Sequence, residues 1–271
     1  MKIKDILRGE DINNKKLALC NVLNLSLPLL VLNKNRELSS LEYDKYCYIF
    51  ERLEEGVPIQ YVVCKANFYG RDFFVDENVL IPRPETEVLV EDTYKLIKEK
   101  FGDEELNMLD IGTGSGVIAI TLSLFSERFL VVATDISEGA LGVARKNQDF
   151  YNSKVSFKRT NLYEGINKKF DVVVSNPPYI ENDSCDVEKI VKDNEPSLAL
   201  YGGVDGLDYY REILKNIKEI IKEKHIIAFE IGDGQGEKIK KMVSDVLPFD
   251  DVVVKKDYNG FDRYVYVLSK D

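Results

Sequence analysis

From residue 106 onward the chain alternates short β-branched runs with stretches long enough for helices, and this alternation restricts the architecture more than any other feature. The runs are NMLDI (107–111), FLVVATD (129–135), VSFKRT (155–160), FDVVVS (170–175), HIIAFEI (225–231), DVVVKKD (251–257) and RYVYVLS (263–269). The first five are separated by segments that can hold crossover helices, which predicts a parallel, doubly wound sheet. Between the last two lie only Tyr258 to Asp262, Asn-Gly included, which predicts an antiparallel hairpin. An α/β fold with a mostly parallel sheet of seven strands is expected.

Upstream the text reads differently. Residues 1–57 predict a small helical bundle. Ser39-Ser40-Leu41-Glu42 has the spacing of a capping box, and Tyr46, Ile49, Phe50 and Leu53 then recur at helical spacing. Gly56 closes that helix and Pro58 follows. Leu17, Leu19, Val22 and Leu23 predict another amphipathic helix, and Pro28 begins a short third. Within residues 58–84, Tyr61-Val62-Val63 and Phe73-Phe74-Val75 flank Gly70 as two strands of a linking β-hairpin. Ile81-Pro82-Arg83-Pro84-Glu85-Thr86-Glu87 is then a stiff linker into a helix ending near Lys100, with proline and acids at its amino end. The catalytic domain is expected over 85–271.

The chemistry is narrowed by what is scarce. The only histidine, His225, precedes IIAF and reads as a strand-edge residue, so a hydrolase with an imidazole base is disfavoured. Cysteines 20, 47, 64 and 185 form no C-x-x-C pair; buried reduced thiols are expected, with no metal site and no disulfide framework. No apolar run approaches the roughly 20 residues of a membrane span. The charged amino terminus is no secretory signal, so a cytoplasmic location is expected, with no membrane partner. Residues 1–84 carry 12 basic and 12 acidic side chains. The other 25 basic and 35 acidic ones hold the whole net charge of −10, which counts against nucleic acid as partner.

The first strand of the alternation runs into Gly112-Thr113-Gly114-Ser115-Gly116. This is G-x-G-x-G; Val117 stands where the third glycine of the G-x-G-x-x-G dinucleotide fingerprint would be. Such a turn brings backbone close to a ligand, and the following helix amino end suits a carboxylate, such as the one on the methionine part of S-adenosylmethionine. The second strand ends at Asp135, 23 positions after Gly112, where a carboxylate can take both ribose hydroxyls. Asn161 and Leu162, after the third strand, can receive an adenine. Five parallel strands ending in an antiparallel hairpin describe a methyltransferase sheet better than a dinucleotide-binding dehydrogenase.

The fourth strand ends in Asn176-Pro177-Pro178-Tyr179. The nitrogen of a planar amide or aromatic amine is a poor nucleophile because its lone pair is delocalised. If Asn176 Oδ1 and the Pro177 carbonyl each accept one of its N–H groups, they hold that nitrogen in line for transfer and stabilise positive charge growing on it. Tyr179 can stack on a flat group, and no general base is needed first. Two acceptors satisfy this chemistry: the exocyclic amine of adenine and the side-chain amide of glutamine.

A resemblance separates them. Pro58-Ile59-Gln60-Tyr61, the 81–87 segment, DIGTGSG, SNPPYI, Glu195-Pro196 with Ala199 to Leu207, and Phe229-Glu230-Ile231-Gly232 resemble the peptide chain release factor glutamine N5-methyltransferases over roughly residues 58–270. The resemblance implies methylation of the glutamine in a release factor's Gly-Gly-Gln tripeptide, with S-adenosylmethionine as cofactor and S-adenosylhomocysteine as product. It implies that Gly112 to Gly116, Asp135 and Asn176 contact the cofactor and that Leu162 lies by the adenine. Asn176 to Tyr179 would grip the glutamine, with Pro84, Glu85 and Thr86 bordering that pocket. The N-terminal helices would dock the substrate, and a monomer is expected. Three positions depart from the family pattern: Cys64 for a glycine, Asn161 for an aspartate and Phe261 for an arginine. The competing readings are an N6-adenine nucleic-acid methyltransferase and a silent adenosyl-binding module.

Overall fold

The computed structural model describes residues 1–182, 184 and 188–270. These group into two compact units, one of residues 1–65 and 188–194 and one of residues 66–182, 184 and 195–270. The smaller is helical: α1 (Ile3–Ile6), α2 (Ile12–Leu23), α3 (Leu27–Leu32), α4 (Ser40–Glu54), α5 (Ile59–Val62) and α9 (Lys189–Asn194). Its core gathers Ile3, Ile6, Ala18, Leu19, Leu30 and Tyr46. The expected capping box opens α4: Glu42 N donates to Ser39 Oγ at 3.3 Å, and Ser39 N donates to Glu42 Oε2 at 2.9 Å. Together these satisfy two backbone donors that a helix start leaves free.

The larger unit begins with β1 (Ala66–Phe68) and β2 (Arg71–Phe73), joined by Tyr69 and Gly70. Both turn residues have positive φ (52° and 70°), the geometry that matches a two-residue turn to strand twist. Then follow α6 (Pro84–Phe101), β3 (Leu106–Ile111), α7 (Val117–Phe125), β4 (Phe129–Asp135), α8 (Glu138–Tyr151), β5 (Ser156–Arg159) and β6 (Phe170–Ser175). The chain closes with α10 (Asp208–Lys215), α11 (Ile217–Ile220), β7 (Ile221–Glu230), α12 (Gly236–Val246), β8 (Asp251–Lys256) and β9 (Asp262–Leu268).

The seven strands lie in the order β5-β4-β3-β6-β7-β9-β8, parallel except for β9, which runs antiparallel to both of its neighbours. From β3 the chain winds outward to β4 and β5, then returns to place β6 on the other side, which makes the β4/β3/β6 region a switch point. The expected doubly wound sheet with a terminal hairpin is therefore present. Alternation along each strand feeds two cores. Met108, Val172 and Val174 pack on one face with Leu89, Ile97 and Ile120, while Leu109 and Val173 pack on the other with Tyr210, Ile213 and Ile239. Every residue of β6 is buried, as a strand covered on both faces requires.

Three expectations are corrected. Tyr61-Val62-Val63 is no strand: Pro58 caps α5, whose bonds return to Pro58 and Ile59, and the hairpin forms further on from Ala66 to Phe73. Local hydrogen bonding after a proline outweighs the β-branched composition there. His225 is not at an edge but buried inside β7, with Nε2 2.9 Å from Asp250 Oδ2. Cys20 is half-buried and Cys47 and Cys64 are exposed, so burial of the thiols does not hold for these; Cys185 lies outside the described residues. Among the described residues no helix is long and apolar enough to cross a membrane.

Cys64 has φ of 53°, a conformation that favours glycine. A side chain is accommodated there at a strain of about 1–2 kcal/mol. Cys64→Gly removes that strain against about 0.5–1 kcal/mol of unfolded-chain entropy. The variant is expected to be at least as stable as the parent by urea denaturation; a drop in midpoint would show the left-handed turn to be unstrained.

Candidate functional site

Sheet register decides what meets at the carboxyl edge. Ile111 pairs with Thr134 on one side and Ser175 on the other, and Ser175 pairs with Phe229. The residues that follow, namely Gly112, Asp135, Asn176 and Glu230, therefore leave the sheet at one edge. A cleft opens there, lined by Thr86, Gly112 to Ser115, Asp135, Asn161, Leu162 and Asn176 to Pro178.

One end combines an open glycine backbone with a fixed carboxylate. Gly112 and Gly114 have φ of 73° and 54°, and a Cβ at either would meet no protein atom, so their backbone is open to a ligand. Asp135 Oδ2 accepts from Gly114 N and Oδ1 from Ser137 N, both at 2.9 Å, which fixes the carboxylate and leaves each oxygen a lone pair for a hydroxyl. Burial raises the Asp135 pKa, and those backbone N–H groups act against the rise. Asn161 Nδ2 donates to Glu164 Oε1 at 2.9 Å, leaving Oδ1 to accept from an amine as an aspartate would. Leu162, at φ 49°, holds a left-handed bend at the cleft wall. These side chains fit a ribose, an adenine and a nearby carboxylate.

The other end is built around an amide. Asn176 Nδ2 donates to Thr86 Oγ1 at 3.1 Å, and Thr86 Oγ1 donates to Glu230 Oε2 at 2.7 Å. Burial pushes the Glu230 carboxyl up to about 7, opposed by the Thr86 hydrogen bond and the charge of Arg263. Tyr179 turns its hydroxyl to Glu230 Oε1 at 3.4 Å. Burial raises its pKa, so it stays a neutral phenol. Behind the motif, a Cβ at Gly202 would overlap the Pro178 carbonyl oxygen, and one at Gly206 (φ 70°) would overlap that of Tyr179. Gln235 Nε2 donates to the Tyr179 carbonyl at 3.0 Å. The glycines of the 199–207 block thus let a second chain segment press against the Asn-Pro-Pro-Tyr backbone.

Four of the residues read from the sequence stand elsewhere. Pro84, Glu85, Gly116 and Tyr179 are not among the described residues lining the cleft. Pro84 starts α6 in the open, and the Glu85 carbonyl accepts from the Tyr264 hydroxyl at 2.9 Å. Gly116 lets α7 approach α8, since a Cβ there would stand 3.2 Å from that of Ala144. Tyr179 packs against the core on the α10–α12 face.

Glu195 and Glu230 enter the sequence reading only as parts of longer motifs, and Asn147 does not enter it. Glu195, 5% exposed, pairs with Arg83 Nη2 at 2.7 Å and accepts from Ile81 N at 3.2 Å, pinning the 81–87 strap that borders the cleft. Asn147, 1% exposed, accepts from Phe74 N through Oδ1 and donates through Nδ2 to the carbonyls of Phe74 and Ser115. A lone amide on the apolar face of α8 was the available signal for Asn147. For Glu230 it was an acid set between Phe229 and Ile231, and the polar run around Glu195 carries no such signal.

The chain is similar to known proteins. Residues 86–202 match the Methyltransferase small domain model and residues 7–63 the PrmC N-terminal domain model. The chain is 42% identical over 262 residues to a protein of Bacillus cereus named release factor glutamine methyltransferase, covering 95% of this chain and 93% of that one. A protein of the same name from Streptococcus pneumoniae is 37% identical over 264 residues, 97% of this chain and 93% of that one. In fold, a methyltransferase from Pyrococcus furiosus superposes with a TM-score of 0.55 at 18% identity, covering 82% of this chain and 100% of that one.

Beneath the glycine loop, Asp110 is 1% exposed. Its Oδ2 accepts from Thr113 Oγ1 at 2.6 Å, and Oδ1 meets no hydrogen-bond donor within bonding distance among the described residues. Burial pushes its pKa up to about 7. The folded state then binds the proton more tightly than the unfolded chain, whose aspartates titrate at about 4. That stabilising contribution is complete below about 4 and is lost as pH rises through about 7. Asp110→Asn removes the titration, so its melting temperature is expected to fall less than the parent's between pH 5 and pH 8. Identical slopes would place the Asp110 titration elsewhere.

Proposed function

The chain belongs to the release factor glutamine methyltransferases, and on that premise we propose that it methylates the side-chain amide nitrogen (N5) of a glutamine, the one in the Gly-Gly-Gln tripeptide of a peptide chain release factor. The cofactor is S-adenosylmethionine, with S-adenosylhomocysteine as product. Gly112 to Ser115 face its methionine part, Asp135 its ribose, and Asn161 and Leu162 its adenine. When bound, it supplies an electrophilic methyl carbon on a sulfonium. The chain's own task is to present a weak nucleophile in the right direction.

The observation that carries this reading is the hydrogen bond from Asn176 Nδ2 to Thr86, which leaves Oδ1 as an acceptor. Asn176 Oδ1 takes one N–H of the glutamine amide and the Pro177 carbonyl takes the other. Proline contributes no competing N–H at that point. Two fixed acceptors orient the nitrogen and stabilise its growing positive charge, a preorganised electrostatic effect that costs no rearrangement during reaction. The nitrogen keeps its N–H bonds until the new N–C bond forms and then releases one proton, so no base is required beforehand. Pro178 and Tyr179 stiffen this arm, and Pro84 and Glu85 set the course of the strap beside it. The helical unit over 1–57 docks the release factor, the enzyme acts as a monomer in the cytoplasm, and nucleic acid is not a substrate.

Labelled S-adenosylmethionine offered in parallel with an intact release factor, its Gly-Gly-Gln→Ala form and DNA tests the acceptor. Label on the intact protein alone is the expected result, and label on DNA alone would reverse the assignment. Asn176→Ala is expected to keep cofactor affinity while losing turnover on the order of 10²–10³-fold. Full turnover would remove Asn176 from its role. The acid excess of residues 85–271 should steer a basic partner, so association with the release factor should slow as salt rises; a rate indifferent to ionic strength would discard steering.

A further inference from the structure

Glu230 ends β7, is 1% exposed, and is not among the described residues lining the cleft. Filling that volume does not require an acid, and ionising one there is costly, as the upward push on its titration shows. What an acid offers is two acceptor oxygens. Oε2 accepts from Thr86 Oγ1 at 2.7 Å, and Oε1 faces the Tyr179 hydroxyl at 3.4 Å. Having given its hydrogen to Glu230, the Thr86 hydroxyl can only accept, and Asn176 Nδ2 donates to it at 3.1 Å.

A primary amide has one donating end and one accepting end, of nearly the same shape. Packing alone does not choose between them, but the partner of one end does. We propose that Glu230, acting through Thr86, is a positioning residue that fixes which end of the Asn176 amide faces the acceptor nitrogen, an assignment that rests on the function proposed above. An uncharged group at 230 cannot accept from Thr86 and Tyr179 on separate atoms. One of its two ends becomes a donor. When that end meets Thr86, the Thr86 hydrogen is released toward Asn176. The Asn176 amide then turns its Oδ1 to Thr86 and its –NH₂ to the cleft, where it meets the glutamine's own N–H groups.

The test uses two near-isosteric variants of the full chain, Glu230→Gln and Thr86→Val, with Thr86→Ser to restore the hydroxyl. Turnover of the release factor is expected to fall at least about tenfold in the first two and to recover most of that loss in the third. KM for the release factor and Kd for S-adenosylhomocysteine by calorimetry should shift less than about threefold. A merely structural contribution would instead weaken binding and turnover together. A substrate-independent readout comes from the side-chain amide signals of ¹⁵N-asparagine-labelled protein. One Asn176 Nδ2 proton should exchange slowly with water in the parent and rapidly in Thr86→Val. Equal exchange in those two proteins, or undiminished turnover in Glu230→Gln, overturns the assignment. A parent enzyme that labels no release factor defeats the proposed function instead, and amide exchange still decides the orientation.

Discussion

The placement of β6 between β3 and β7 is the constraint from which the rest of the larger unit takes its form. One row of the sheet carries Thr134, Ile111, Ser175 and Phe229 side by side. A slip of one residue in any of these pairings would send each side chain into the opposite core and move one wall of the cleft relative to the others. The continuous burial of Phe170 to Ser175 makes such a slip costly. Hydrophobic alternation, which carries no chemical information, thereby aligns a glycine loop, an acid and an amide that come from three separate strand ends.

Around that edge the protein tolerates buried acids where each does a directional task. Glu195 holds a strap by a guanidinium and a backbone N–H. Glu230 receives two hydroxyls, and Asp110 receives the Thr113 hydroxyl beneath the glycine loop. Burying a carboxylate opposes folding unless donors meet it, so each of these sites marks a place where orientation has outweighed stability.

Most of the sheet was legible in advance because its strands are long, β-branched and separated by turn residues; 129–135 and 170–175 match to the residue. The glycine loop, Asp135 and the Asn-Pro-Pro arm were legible for a related reason, since strand ends of a doubly wound sheet are where ligands bind. What escaped the reading was short or non-local. Tyr61 to Val63 look like a strand, yet one turn of helix after Pro58 satisfies their backbone locally. His225 sits deep in β7 because that strand begins at Ile221, four residues before the expected start at 225. The Thr86–Glu230 contact joins residues 144 positions apart, and only tertiary structure brings them together.

Asn147 illustrates how one amide can govern motion as well as position. Its side chain joins Phe74, just beyond the β1–β2 hairpin, to Ser115 in the glycine loop through three hydrogen bonds. At roughly 1 kcal/mol each, they make it costly for either segment to detach alone. The hairpin end and the loop are thereby joined into one cooperative patch that frays as a whole, and ordering of the loop by a ligand would quiet fluctuations at a strand end more than forty residues away in sequence.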